Sequence, residues 1–278
     1  MRLRALLFVP GDRPERMEKA LRSGADAVIV DLEDSVLPER KPWARKDVAR
    51  FLATTDGNVK LMVRVNPLGS PELAADLESI LPTKPDALVL PKSEGGNSVA
   101  EFVAMLGLSD IRVLPIATET PNAVFGLGTY GAIANRLCGL TWGAEDLPAA
   151  IGATTARSED GQYTSPYEMV RNLTLFGAHA AGVPAIETVY PDIADSEGLR
   201  AYAERGRRDG FSGMMAVHPA QVPVINAAFA PSEAELVRAR AVIAAFAGSE
   251  GAGAIQLDGR MIDRPHFLAA QRLLAQVE

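Results

Sequence analysis

The sequence predicts a closed (β/α)₈ barrel of the TIM type with a C-terminal helical extension. Three observations predict it: short apolar runs recur at fairly even spacing, amphipathic segments lie between them, and polar residues gather at the C-terminal end of nearly every run. Near-continuous apolar strands joined by helices imply a parallel sheet covered on its outer face. Eight such units within residues 1–230 suit a fold that takes about 250 residues. An open doubly wound sheet is the alternative reading of the same alternation. The polar strand ends favour the barrel, where catalytic groups come from those ends and the loops that follow them.

The predicted strands are, in order, ALLFVP (5–10), DAVIVDLED (26–34), KLMVRVN (60–66), DALVLPKSE (86–94), RVLPIATET (112–120), LCGLTWGAED (137–146), PAIETVYPD (184–192) and MMAVHP (214–219). Residues 14–23, 42–52, 72–80, 99–106 and 167–181 read as amphipathic helices, most of them closing near a glycine or proline. Residues 231–278 form the extension: a helix over 232–246, a small-residue connector AGSEGAGA (247–254), and a last segment ending in an amphipathic helix. It is too short for a core of its own and reads as an arm or lid.

The 28 Lys and Arg against 35 Asp and Glu give a net charge of -7, which leaves no extended basic surface for nucleic acid. Cys138 is the single cysteine, so the chain suits a reducing compartment and the thiol reads as buried and inert. The apolar run near the N-terminus is too short for a signal peptide, and no stretch approaches the roughly 20 apolar residues of a membrane span. The expectation is a soluble cytoplasmic protein.

The polar strand ends hold Asp31, Glu33, Asp34, Arg64, Asn66, Lys92, Glu119, Glu145, Asp146, Asp192 and His218. Strand alternation puts Glu119 on the side of Ala117, and Asp146 with Ala144 and Trp142, so that Glu145 points away. Two carboxylates, Glu119 and Asp146, meeting at a barrel mouth repel unless a cation or shared proton intervenes. Oxygen-only ligation with places for water and substrate suits Mg²⁺, although solvated acids or salt-bridge partners fit the spacing equally well. His179, His218 and His266 show no ligand spacing, which disfavours zinc. Arg64 reads as a partner to the acids or as a fork for a substrate carboxylate. Lys92 and His218 serve the site or cap the barrel, and for His218, before a proline, the structural role is favoured. The glycines of GLGTYG (126–131) fit a dinucleotide pattern but do not directly follow a strand, so no nicotinamide site is expected.

The stretches LLFVPGDRPERMEKALRSGADAVIVDLEDSV, VRVNPL, LVLPKSE, ATETP, TWGAEDLPAAIGATT and AVHPAQVPVINAAFAPS together resemble the citrate lyase β-subunit family. That family lies in a wider barrel superfamily of Mg²⁺-dependent aldolases and CoA-ester lyases, including malyl-CoA and citramalyl-CoA lyases. The resemblance spans nearly the whole chain. It implies that Glu119 and Asp146 hold Mg²⁺, that Arg64 grips the substrate carboxylate, and that Glu33 and Asp34 support the metal's water shell. It also implies that backbone amides of the segment Gly143, Ala144, Glu145 and Asp146 help to bind the oxo-acid carboxylate. The tail GRMIDRP resembles that of the CoA lyases, which makes Asp263 a proton-transfer residue reaching a neighbouring subunit's site in a homo-oligomer, a trimer or hexamer. One departure is Met214, where many relatives carry lysine, which bears on the choice of thioester.

The implied reaction cleaves a carboxylated 3-hydroxyacyl thioester of the citramalyl-, malyl- or citryl-CoA type to acetyl-CoA and a 2-oxo acid. The rival readings are a thioesterase on the same scaffold and a subunit that works only with an acyl carrier protein. Arg2, Arg4, Arg13 and Arg16 near the first strand offer a local cationic patch for an anionic CoA, or are plain surface residues.

Overall fold

The computed structural model describes residues 3–55, 57, 59–159, 161–249 and 253–275. Its contacts divide the chain into two compact units, Met1–Phe229 and Ala230–Glu278. Arg2 and residues 250–252 of the small-residue connector lie outside the described residues.

The first unit carries strands β1 (Ala5–Pro10), β2 (Ala27–Asp31), β3 (Lys60–Arg64), β4 (Ala87–Leu90), β5 (Arg112–Pro115), β6 (Leu140–Thr141), β7 (Ala185–Glu187) and β8 (Gly213–Ala216). All pair in parallel in the order β5-β4-β3-β2-β1-β8-β7-β6. Parallel bridges from Val113 to Leu137 and from Ile116 to Thr141 then join β5 to β6, the two ends of that order. This contact brings the sheet round into a TIM-type barrel and sets aside the open doubly wound alternative.

Helices α1 (Pro14–Ala20), α2 (Lys41–Thr54), α3 (Leu73–Ile80), α4 (Gly96–Met105), α5 (Pro121–Gly126), α6 (Asp146–Ile151), α7 (Ser165–Ala181), α8 (Ser196–Asp209) and α9 (Gln221–Ala228) alternate with the strands, and a 3₁₀ segment over Leu127–Arg136 follows α5. The stretch GLGTYG lies in this helical connection, at the end of α5 and the start of the 3₁₀ segment.

Neighbouring strand residues point to opposite faces, so each apolar run serves two cores. Leu6, Ile29, Met62, Val89, Leu114, Ile116, Ile186 and Met215 cluster on the inner face, with Cys138 buried among them. Leu7, Val28, Val30, Val63, Leu88 and Val113 meet the helices outside. Burying each such side chain stabilises the fold by about 1.5–3 kcal/mol, so the continuous apolar runs that a parallel sheet requires are also its main source of stability.

Met214 is fully buried in the outer layer, whereas Met215 and Val217 line the cavity at the barrel mouth. Methionine at 214 therefore alters the packing behind β8 and does not enter the cavity.

The second unit holds α10 (Glu233–Ala247), an antiparallel hairpin of β9 (Ala254–Leu257) and β10 (Arg260–Asp263), and α11 (Arg264–Leu274). Contrary to the expectation that this segment is too short for a core of its own, Ala239, Val242, Ile262 and Ala270 pack into a small one, with Phe246 and Phe267 edge to face at 5.3 Å. The hairpin turns at Asp258 and Gly259, both with positive φ. An Asp-Gly pair is the two-residue signal for such a turn. Asp263 starts α11 as its N-cap. Among the described residues no helix is long and apolar enough to cross a membrane.

Candidate active site

A cavity of about 350 Å³ opens at the C-terminal ends of the strands. Its lining combines the acids Asp31, Asp34, Glu119, Glu145 and Asp146 and the cation Arg64 with the apolar Phe8, Ile116, Val189 and Met215.

Arg64, the last residue of β3, is fixed by its neighbours. Its Nε donates to Asp31 Oδ1 at 2.6 Å and its Nη2 to Asp31 Oδ2 at 2.7 Å, a bidentate pair. Its Nη1 lies 3.0 Å from Glu33 Oε2 and 3.6 Å from Asp34 Oδ2, and its guanidinium stands 5.0 Å over the ring of Phe8. Burial pushes the Asp31 carboxyl up, but the Arg64 hydrogen bonds and charge outweigh it and hold the group below its ordinary value. Asp31 is thus the anchor of Arg64, a role its place at the end of β2 did not disclose.

Glu33 is 5 % exposed, and burial raises its pKa against the pull of Arg64 and Lys92. Its Oε2 is buried and, despite the nearby Arg64 charge, makes no well-directed hydrogen bond. Its Oε1 accepts from Lys92 Nζ at 2.6 Å.

Glu119 follows β5 and is 4 % exposed. Its Oε2 accepts from the Lys92 backbone N–H at 2.5 Å. Thr120, the next residue, caps α5 by accepting from Ala123 N, which pins the chain just beyond the acid. Gly143 leaves room for Glu119: a Cβ there would stand 2.8 Å from Glu119 Cγ.

The strand alternation expected for LTWGAED does not run past Thr141, where β6 ends. Trp142 faces the outer layer and donates from Nε1 to Glu187 Oε1 at 2.6 Å. Gly143, Ala144, Glu145 and Asp146 all border the cavity. Asp146 opens α6, and its Oδ1 lies 3.7 Å from Lys92 Nζ, whereas Glu145 is exposed.

Several other strand-end residues stay outside this group. Asn66 belongs to a separate buried network, accepting from Lys41 Nζ at 2.8 Å and donating to Asp76 at 2.7 Å. Asp192 and His218 bind turn amides. Of the arginines near β1, Arg4 pairs with Asp26 and Arg13 with Asp12, while Arg16 lines the cavity. Asp263 belongs to the second unit, where its Oδ1 lies 2.6 Å from His266 Nδ1.

The donor set suits Mg²⁺. It is all oxygen, and burial together with repulsion from Glu33 and Asp146 pushes Glu119 from an ordinary 4.5 up to about 8, the mark of negative charge not fully offset. Among the described residues no three His, Cys, Asp or Glu side chains form a cage. Mg²⁺ does not ask for one, since it binds through one or two carboxylates and completes its shell with water and substrate.

Metal binding at Glu119 requires the carboxylate. Below about pH 8 a proton competes for it, so Mg²⁺ affinity is expected to rise about tenfold per pH unit up to that point and then level, with proton release on binding. Titration calorimetry from about pH 6 to about pH 9 measures this, and a flat profile would exclude Glu119 as a ligand. The metal-free stability runs the opposite way: the folded state holds the extra proton between 4.5 and about 8, so stability falls as pH rises through that window.

A TIM-type barrel with a carboxylate cluster and a clamped guanidinium at its mouth defines the class as a barrel enzyme whose site suits a divalent cation and an anionic substrate. Residues 4–219 match the HpcH/HpaI aldolase/citrate lyase family. A citrate lyase subunit beta-like protein of Mycobacterium tuberculosis is 37% identical over 268 residues, 96% of this chain and 93% of that one. A (3S)-malyl-CoA thioesterase of Cereibacter sphaeroides is 34% identical, covering 99% and 94%. The structure of CitE from M. tuberculosis in complex with magnesium, acetoacetate and coenzyme A superposes with a TM-score of 0.85 at 35% identity, over 99% of this chain and 98% of that one. The chain belongs to the HpcH/HpaI aldolase/citrate lyase family and is an enzyme of the oxo-acid-lyase type.

Proposed function

We propose that the protein is a Mg²⁺-dependent carbon-carbon lyase acting on a citramalyl-, malyl- or citryl-CoA type thioester, with acetyl-CoA and pyruvate, glyoxylate or oxaloacetate as products. The observation that carries this reading is the convergence of Glu119, Asp146 and Arg64 on one cavity. Support comes from the mycobacterial relative, solved with magnesium and pyruvate and with magnesium and oxaloacetate.

Glu119 and Asp146 would hold the ion, which when bound supplies positive charge to polarise the substrate's hydroxyl and carboxylate. Arg64, clamped by Asp31, offsets charge on the carboxylate, and backbone N–H groups of the 143–146 segment orient it. Glu33 and Asp34 hold water beside the metal ligands. As the carbon-carbon bond breaks, the hydroxyl proton passes to solvent water, its oxygen becomes the carbonyl of the oxo acid, and the bonding pair passes to the thioester as an enolate. Asp263 of a neighbouring chain then protonates the enolate carbon, which requires a homo-oligomer, trimer or hexamer.

The thioesterase relative favours a second reading, in which water attacks the thioester. Product analysis with the three CoA esters, with and without Mg²⁺, separates the two. A lyase releases acetyl-CoA and an oxo acid; free CoA with an intact hydroxy acid marks a thioesterase. The third outcome, no cleavage of any free CoA ester, points to a subunit that works only with an acyl carrier protein; the citrate lyase subunit beta of Leuconostoc mesenteroides is 33% identical over 98% of this chain and 92% of that one.

A further inference from the structure

Lys92 follows β4 and joins three of the acids, Glu119, Glu33 and Asp146. Its backbone N–H donates to Glu119 Oε2 at 2.5 Å, its ammonium donates to Glu33 Oε1 at 2.6 Å, and the same ammonium lies 3.7 Å from Asp146 Oδ1. These contacts reach the loop after β5, the loop after β2 and the start of α6 from one residue. The backbone there is left-handed, with φ 51, a conformation that costs a lysine free energy. That φ belongs to the same residue whose amide meets Glu119 while its side chain meets Glu33. The side chain is one-third exposed.

We infer that Lys92 is a resident counter-cation of the acid cluster, and that its ammonium competes with the divalent ion for Asp146. The inference rests on the metal reading above. A positive charge within a few ångströms of Asp146 repels a second cation arriving at the same carboxylate. It also screens Glu33, Glu119 and Asp146 from one another, so that the barrel mouth holds its shape before an ion binds. Lys92 is accordingly a positioning residue that weakens Mg²⁺ binding in exchange for a preformed site.

The test is Mg²⁺ titration calorimetry on the full chain without substrate, alongside thermal melts in Mg²⁺-free buffer. Lys92→Met removes the charge and keeps the stem. It is expected to bind Mg²⁺ about tenfold more tightly than wild type and to melt lower when Mg²⁺-free. Lys92→Gly also removes the charge but relieves the left-handed backbone, so it gains the same affinity with a smaller loss of melting temperature. Lys92→Arg keeps the charge and stays near the wild-type affinity. Equal or weaker Mg²⁺ binding by the Met and Gly variants would overturn the inference while leaving the metal site standing. Wild-type protein that binds no Mg²⁺ would remove the metal reading and this inference with it.

Discussion

Glu119→Gln is expected to abolish metal-dependent turnover, by at least about a thousandfold, and to leave the barrel folded. A bound ion contributes several kcal/mol of charge stabilisation to a reaction of this kind, and each 1.36 kcal/mol is about a factor of ten in rate. Mg²⁺ affinity should fall by at least about a hundredfold, since even groups that only support metal ligands are commonly worth about 10–100-fold. Stability should not fall with it. The carboxyl is 4 % exposed and held up near 8 by burial and its acidic neighbours, so a neutral amide suits the metal-free pocket at least as well. The Gln carbonyl can still accept from Lys92 N–H. The decisive pair of measurements is turnover and the rise in melting temperature on adding Mg²⁺. Both vanish in the variant if the assignment holds, whereas a wild-type Mg²⁺ response would remove Glu119 from the metal site.

The largest stability effect is expected away from the cavity, at Arg171→Met. Arg171 and Glu187 are both 0 % exposed and paired at 2.7 Å, and Arg171 reaches Asp209 at 2.8 Å. Glu187 also accepts from Trp142 Nε1, Tyr202 OH and the Thr188 amide. Removing the arginine leaves a carboxylate buried without its counter-charge, which costs about 3–5 kcal/mol. For a unit of this size that lowers the melting temperature by roughly 10 °C. The double change Arg171→Met with Glu187→Gln should recover most of the loss, because the buried charge is then gone as well. A single variant melting within about 2 °C of wild type would mean that the pair is not the anchor its burial implies.

The barrel was legible because a parallel sheet covered on its outer face and closed on itself writes continuous apolar runs into the chain, as in DAVIVDLED and DALVLPKSE. The acid cluster was legible because acids at strand ends stand out against those runs. The geometry around Asp146 was not. Alternation extrapolated through LTWGAED assumes a strand, but pairing stops at Thr141 and the chain turns into α6. Asp31 and Lys92 stand out as polar strand ends, yet their partners, Arg64 on β3 and Glu33 in the loop after β2, lie 33 and 59 residues away in sequence. Nothing local encodes which acid an arginine or lysine will meet. Glu187 did leave a signal, being an acid inside the apolar stretch PAIETVY, and Arg171 sits among the buried residues of α7. A charge embedded in an apolar pattern asks for a buried partner.

The short β6 has a consequence for how the barrel stays shut. Among the described residues, seven of the eight junctions between neighbouring strands are regular ladders, whereas β5 and β6 touch through isolated bridges. Glu119 and Asp146 stand on opposite banks of that seam. A divalent ion coordinated by both would clasp the weakest closure of the cylinder, so that the same ligation that activates a substrate would also lock the scaffold holding it.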